Sequence, residues 1–231
     1  MIAYASRTGT RRNLAALRGA GWRLLVSAKG ALRTEGMGYA LDNGAWSAYQ
    51  TGEPFDAQAF EQAVNLLGSR ADWIVVPDIV AGGKDSLRFS LEWVVRLRPL
   101  GTPLLLAVQD GMRAEDVRPY LGPRVGIFVG GSTGWKLATL LMWGDLANAA
   151  GCHLHVGRVN TATRIRLCAA AGADSFDGTS ASRFVCTLPL LDGARRQPDL
   201  FGPKKSAGGI VSAGCLNNVH AKPIVPQQEM P

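Results

Sequence analysis

Residues 104–110 read LLLAVQD and residues 125–131 read VGIFVGG. Each is a five-residue run of mostly apolar, partly β-branched residues that breaks off into polar or glycine residues. A strand buried on both faces looks like this where it meets a loop. The same form recurs along the chain. It predicts six further strands, at Ile2 to Ala5, Arg23 to Ser27, Gly38 to Asp42, Trp73 to Pro77, His153 to Val156, and Asp174 to Phe176. Helical patterns lie between them. From Lys84 to Arg98, Leu87, Leu91, Val94 and Val95 share one face, with Arg88, Glu92 and Arg96 on another. Phe60, Val64 and Leu67 align between Phe55 and Leu67, with Gly68 just beyond, and Asn160 to Ala171 opens on an Asn-Thr cap and stops at Gly172.

Eight strands joined by helices predict a (β/α)8 barrel, with an open doubly wound sheet as the competing arrangement. The ends of the strands favour the barrel. They read Ser6-Arg7, Ser27, Asp42-Asn43, Asp78, Gln109-Asp110, Gly130-Gly131, Gly157-Arg158 and Asp177-Gly178, so polar and glycine residues gather where a barrel carries its chemistry. The barrel is expected over residues 1–192. Residues 193–231 read as a basic extension, with 5 of the 12 prolines and five Lys or Arg against two acidic residues.

The chain has 231 residues, 47% of them hydrophobic, enough for a sizeable core. Its apolar stretches, such as Pro103 to Val108, fall well short of the about 18 residues that a membrane span needs. The N-terminus shows no basic start with an apolar core behind it, so a cytoplasmic protein is expected, in the host cytoplasm if it is viral. Four scattered cysteines give no disulfide framework. The net charge of +7 suits a polyanionic partner, nucleic acid first.

Four carboxylates stand just after strands: Asp42, Asp78, Asp110 and Asp177. Singly, an Asp before Gly is a turn residue. Together, at equivalent positions, they point to chemistry. Two facing carboxylates permit displacement at an anomeric carbon, one attacking while the other moves a proton, and Asp42 and Asp177 form the candidate pair.

In order along the chain, LDNGAW (41–46), PDI (77–79), AVQDG (107–111), FVGGS (128–132), HVGRVN (155–160) and GADSFDGTS (172–180) resemble the successive motifs of the tRNA-guanine transglycosylases and their relatives that exchange guanine for a 7-deazaguanine in DNA. The likeness covers about 41–185. It implies Asp177 as the nucleophile at the sugar C1′ and Asp42 as general acid/base. Asp78, Gln109 and the backbone amides of Gly130 and Gly131 would read the guanine edge, and Trp46 or Phe128 would stack on it. No cofactor is implied. The partners implied are DNA and a free 7-deazaguanine base, cyano or aminomethyl; a homodimer or an accessory protein stays open. The zinc-binding Cys-x-Cys-x-x-Cys run of the tRNA enzymes is absent from this sequence. Cys152, His153 and His155 offer at most two ligands on one strand face and are read as structural, so no metal is expected. Lacking that zinc subdomain, the chain is closest to the phage-type, DNA-directed members.

Candidate phosphate contacts are Arg7, in the loop from Ser6 to Arg12, with Lys136, Arg158, Arg183, Arg195, Arg196, Lys204 and Lys205. The alternatives are a noncatalytic DNA-binding barrel, a tRNA-guanine transglycosylase, and an unrelated barrel enzyme for a phosphorylated metabolite.

Overall fold

A computed structural model describes residues 1–6 and 10–197. Arg7, Lys204, Lys205 and the whole of 198–231 lie outside the described residues. All eight expected strands form: β1 (Ile2–Ser6), β2 (Arg23–Ser27), β3 (Tyr39–Asp42), β4 (Ile74–Val75), β5 (Leu104–Val108), β6 (Val125–Val129), β7 (Leu154–Val156) and β8 (Ser175–Gly178). Each pairs in parallel with the next, and β8 pairs with β1, which closes the barrel. The doubly wound alternative is excluded.

Residues along the strands alternate between two apolar environments. Leu24, Leu41, Ile74, Leu104, Leu106, Ile127 and Leu154 face outward into one core with the helices. Tyr4, Ala40, Trp73, Val75, Leu105 and Ala107, joined by Leu25 and Phe128, fill the barrel itself. Below them Asp72 takes an ion pair from Arg23 and a 2.9 Å hydrogen bond from the Tyr4 hydroxyl. Burial, and then the negative charge of Asp72, push the Tyr4 pKa up, so the phenol remains a donor. This polar cluster closes the end of the barrel at which the strands begin.

The helices are α1 (Arg11–Gly19), α2 (Ala45–Thr51), α3 (Ala57–Leu67), α4 (Gly83–Leu97), α5 (Ala114–Val117), α6 (Thr133–Ala150), α7 (Ala162–Ala170), α8 (Ser180–Arg183) and α9 (Leu188–Arg196). Side-chain oxygens cap several of them: Thr10 for α1, Asp56 for α3, Ser132 for α6 and Thr161 for α7. The ring departs from strict alternation, with both α2 and α3 between β3 and β4. No helix links β2 to β3 across residues 28–38, and α5 is a single turn. The barrel also runs past the expected boundary at residue 192. Helix α9 continues to Arg196, with Leu188, Leu191 and Ala194 buried. Arg195 and Arg196 both ion-pair with Asp192 and donate to the Ala20 carbonyl, and Arg195 also reaches Met1 O. That position is at the start of β1, at the opposite end from the rim, so these two arginines tie α9 to α1 and are not phosphate contacts at the site.

Helix α6 crosses the segment before β8 at Gly144. A Cβ built there would lie 2.1 Å from the Ala171 carbonyl oxygen. Replacing a mid-helix glycine with alanine gains about 1 kcal/mol of helix propensity. Overpacking against backbone costs up to about 3 kcal/mol. The clash wins, and Gly144→Ala should lower stability by about 2 kcal/mol, read as a lower urea midpoint at unchanged slope.

Candidate functional site

A cavity of about 900 Å³ opens at the C-terminal ends of the strands. Every strand end contributes to its lining, from Ser6 on β1 through Ser27, Asp42, Asp78, Gln109, Gly130 and Arg158 to Asp177 on β8. Asp42, Asp177, Asp78, Gln109, Gly130 and Gly131, expected to act together, therefore border one space. In-out alternation explains why. Phe176 packs outward against Trp22, so Ser175 and Asp177 point inward. Leu41 faces the helices, so Asp42 faces the barrel.

The acids sit in different surroundings. Asp42 is half-buried, and its pKa is raised to about 6, first by burial and then by the negative charge of Asp177; the Gly44 amide, 3.2 Å from Oδ2, offsets part of this. Asp78 is also raised to about 6 by burial, against a 2.8 Å hydrogen bond from Asn43 Nδ2 to its Oδ1. Asp177 is almost fully buried, with 5% of its surface exposed. Its Oδ1 lies 3.0 Å from His155 Nε2 and accepts from the Arg158 amide at 3.3 Å. Arg158 has a φ of 58°, in the left-handed region, and this strained turn aims its N–H at Asp177.

Gln109 is buried and donates its amide to Ile79 O at 2.9 Å, which fixes its orientation. Asp110 accepts both the amide and the hydroxyl of Ser132, each at 2.6 Å. It thereby holds the Gly130-Gly131 loop and occupies the N-terminus of α6 with its own negative charge. A Cβ at Gly131 would sit 2.6 Å from Asp110 Oδ2, and its φ of 68° also requires glycine.

Several expectations need correction. The Gly130 amide donates to Val108 O at 2.9 Å, continuing the sheet ladder, so it does not read a ligand edge. Lys136 is 5% exposed and donates its ammonium to Gly157 O. Burial lowers its pKa to about 8, and it is an internal residue rather than a surface phosphate contact. Asn160 does not cap α7; its side-chain oxygen instead receives the amides of Thr179 and Ser180 and shapes the loop after β8. Arg183 is exposed on the cavity rim. Arg158 is on the rim too, with its guanidinium 4.2 Å from the Trp46 ring centre and donating to Gly131 O. Of the two stacking candidates, Trp46 is exposed at the mouth and stacked with Tyr49, and Phe128 is half-buried in the wall against His155.

Two residues were missed. Asn43 entered the sequence reading only as a polar strand-end residue, but its amide bridges to Val76 O and Asp78. His155 was read as structural, but it contacts Asp177 directly. The signal for it was a histidine at an inward position of an otherwise apolar strand, two residues after another.

No family model and no curated protein matches the sequence. Among solved structures the chain is similar to Yersinia pestis DHPS with a pterine-sulfa conjugate, at 11% identity and TM-score 0.50, over 84% of this chain and 93% of that one. It is also similar to Haloferax volcanii malate synthase in a lead(II) complex, at 12% identity and TM-score 0.52, over 87% of this chain and 74% of that one. Likeness at this level shows the fold alone. Fold and site together define a closed (β/α)8 barrel with an acid-lined cavity at its C-terminal rim.

Proposed function

We propose that this barrel is a base-exchanging glycosyltransferase that replaces guanine in DNA with a free 7-deazaguanine, through a covalent link between the sugar and Asp177. The observation that carries the reading is that Asp177 and Asp42 border one cavity in contrasting environments, Asp177 buried against His155 and the Arg158 amide and Asp42 held near pKa 6. That contrast separates nucleophile from proton carrier.

A carboxylate oxygen of Asp177 attacks C1′ as the bond to N9 breaks. The bonding pair leaves with N9, which takes the proton of Asp42. In the return step the incoming base gives its N9 proton to Asp42, N9 attacks C1′, and the sugar–carboxylate pair returns to Asp177. The steps balance without a cofactor. Asp78 would accept from the N1–H and amino group of guanine, while Gln109 and the Gly131 amide would serve O6 and N7. The target base would have to leave the stack to reach the cavity floor, and Arg183 and Arg158, which line the rim, would hold its phosphates.

The rival readings fit less well. A phosphorylated metabolite would seek the N-terminus of α6, which Asp110 already fills. A noncatalytic DNA-binding barrel gains nothing from half-buried acids that repel phosphate. The test is to incubate the protein with labelled guanine and either DNA or tRNA. Label entering DNA is expected. Label entering tRNA alone would reassign the polymer, and label in neither would end the proposal.

A further inference from the structure

The barrel interior holds a hydrogen-bonded chain that ends on Asp177. His153 Nε2 lies 2.7 Å from Ser175 Oγ, Ser175 Oγ lies 2.8 Å from His155 Nδ1, and His155 Nε2 lies 3.0 Å from Asp177 Oδ1. It climbs two adjacent strands, because the β7–β8 register sets His155 opposite Ser175 and alternation places 153, 155, 175 and 177 on the inward side.

We propose that His155 is a positioning residue for Asp177: the Asp177 carboxylate selects the Nε2–H tautomer, Ser175 holds the ring from Nδ1, and the Nε2–H, with the Arg158 amide, holds Asp177 Oδ1 so that Oδ2 is the attacking oxygen. This rests on the reading of Asp177 as nucleophile. The hydrogen-bond logic has one consistent solution. An ionised Asp177 accepts only, so Nε2 must carry a proton. Burial lowers the His155 pKa despite the hydrogen bond and charge of Asp177, so the ring is neutral and Nδ1 must accept. Ser175 then donates its hydroxyl hydrogen to Nδ1, and its oxygen accepts from His153 Nε2–H. Among the described residues no donor reaches Asp177 Oδ2. The groups facing the His155 ring are Asp177 and Ser175 from β8, Tyr4 from β1, Trp73 beside β4 and Phe128 from β6, with the Lys136 charge beyond. Trp73 and Phe128 have ring centres 4.4 and 4.9 Å from it, which leaves the imidazole no room to turn. As the sugar–carboxylate bond breaks in the return step, charge comes back to the carboxylate, and the two N–H groups at Oδ1 stabilise it there.

The test combines three variants with a spectroscopic readout. His155→Phe keeps the aromatic packing and removes the donor; kcat for exchange should fall about 100-fold with KM within about threefold. His155→Gln, which restores a donor near the Nε2 position, should recover about tenfold of that loss. Ser175→Ala leaves the tautomer to Asp177 but removes the hydrogen bond that holds the ring at Nδ1, and exchange should fall about tenfold. Nitrogen-15 spectra of the imidazole should show Nε2–H in the wild type and in Ser175→Ala alike. An Nδ1–H wild-type ring overturns the proposal whatever the activity. Wild-type exchange with unchanged rates in folded His155→Phe and Ser175→Ala also overturns it, while leaving the transglycosylase reading intact. If the wild type exchanges nothing yet shows the Nε2–H ring, the function fails and the positioning of Asp177 by His155 stands.

Discussion

Asp177→Asn is expected to lower base exchange by at least about 10³-fold while leaving the unfolding midpoint and DNA binding nearly unchanged. An amide cannot attack C1′, so the loss falls on the chemical step. The asparagine oxygen can still accept from His155 Nε2–H and from the Arg158 amide, and the side chain fills the same volume, so the buried surroundings survive. On the proposed reading, polymer binding would draw on the rim, where Arg183 and Arg158 lie, and not on this carboxylate. Mass spectrometry of quenched reactions should show a sugar adduct on the wild-type chain and none on the variant. A variant retaining exchange within tenfold of the wild type would remove Asp177 from the nucleophile's role.

Asp42→Asn should lose about 10²–10³-fold in exchange and, above pH 6, gain stability. The folded protein holds the Asp42 proton up to about pH 6, whereas the unfolded chain releases it near 3.8. Between those values the folded state binds more protons, so wild-type stability falls as pH rises through the interval and the penalty is complete above about 6. Removing the ionisable group should therefore stabilise the protein by about 1–3 kcal/mol at pH 8 and by nothing below about pH 4. Urea titrations at the two pH values measure this. The same pKa shapes the kinetics. On the proposed mechanism, formation of the sugar–enzyme bond needs the protonated acid and should decline above pH 6, while the return step needs the carboxylate and should rise there. A stabilised but inactive variant is what a site held at the expense of folding energy produces.

The barrel was legible because its strands are apolar on both faces. Runs such as LLLAV at 104–108 and VGIFV at 125–129 declare themselves without any knowledge of their partners. The site was legible for the same reason, since a carboxylate that ends such a run on an inward position must emerge at the rim, as Asp42 and Asp177 do. What the sequence concealed depends on register and on which way a helix turns. His155 and Ser175 are 20 residues apart, and only the pairing of β7 with β8 brings them together. Lys136 lies on α6, a helix apolar nearly all round, where no polar stripe marks the inward face; nothing local shows that its ammonium meets the Gly157 carbonyl. The Gly130 amide was misread because a strand's last N–H is claimed by its neighbour, which a motif cannot show.

Trp46 rests on the Arg158 guanidinium at the cavity mouth and is the one exposed tryptophan of the six in the chain. A cation lying against an indole dims and shifts its light emission, and whatever enters the cavity must disturb that pair. The protein thus carries an optical gauge of its own occupancy, and aqueous quenchers, which reach this ring more readily than the four buried tryptophans and the half-buried Trp135, favour its signal.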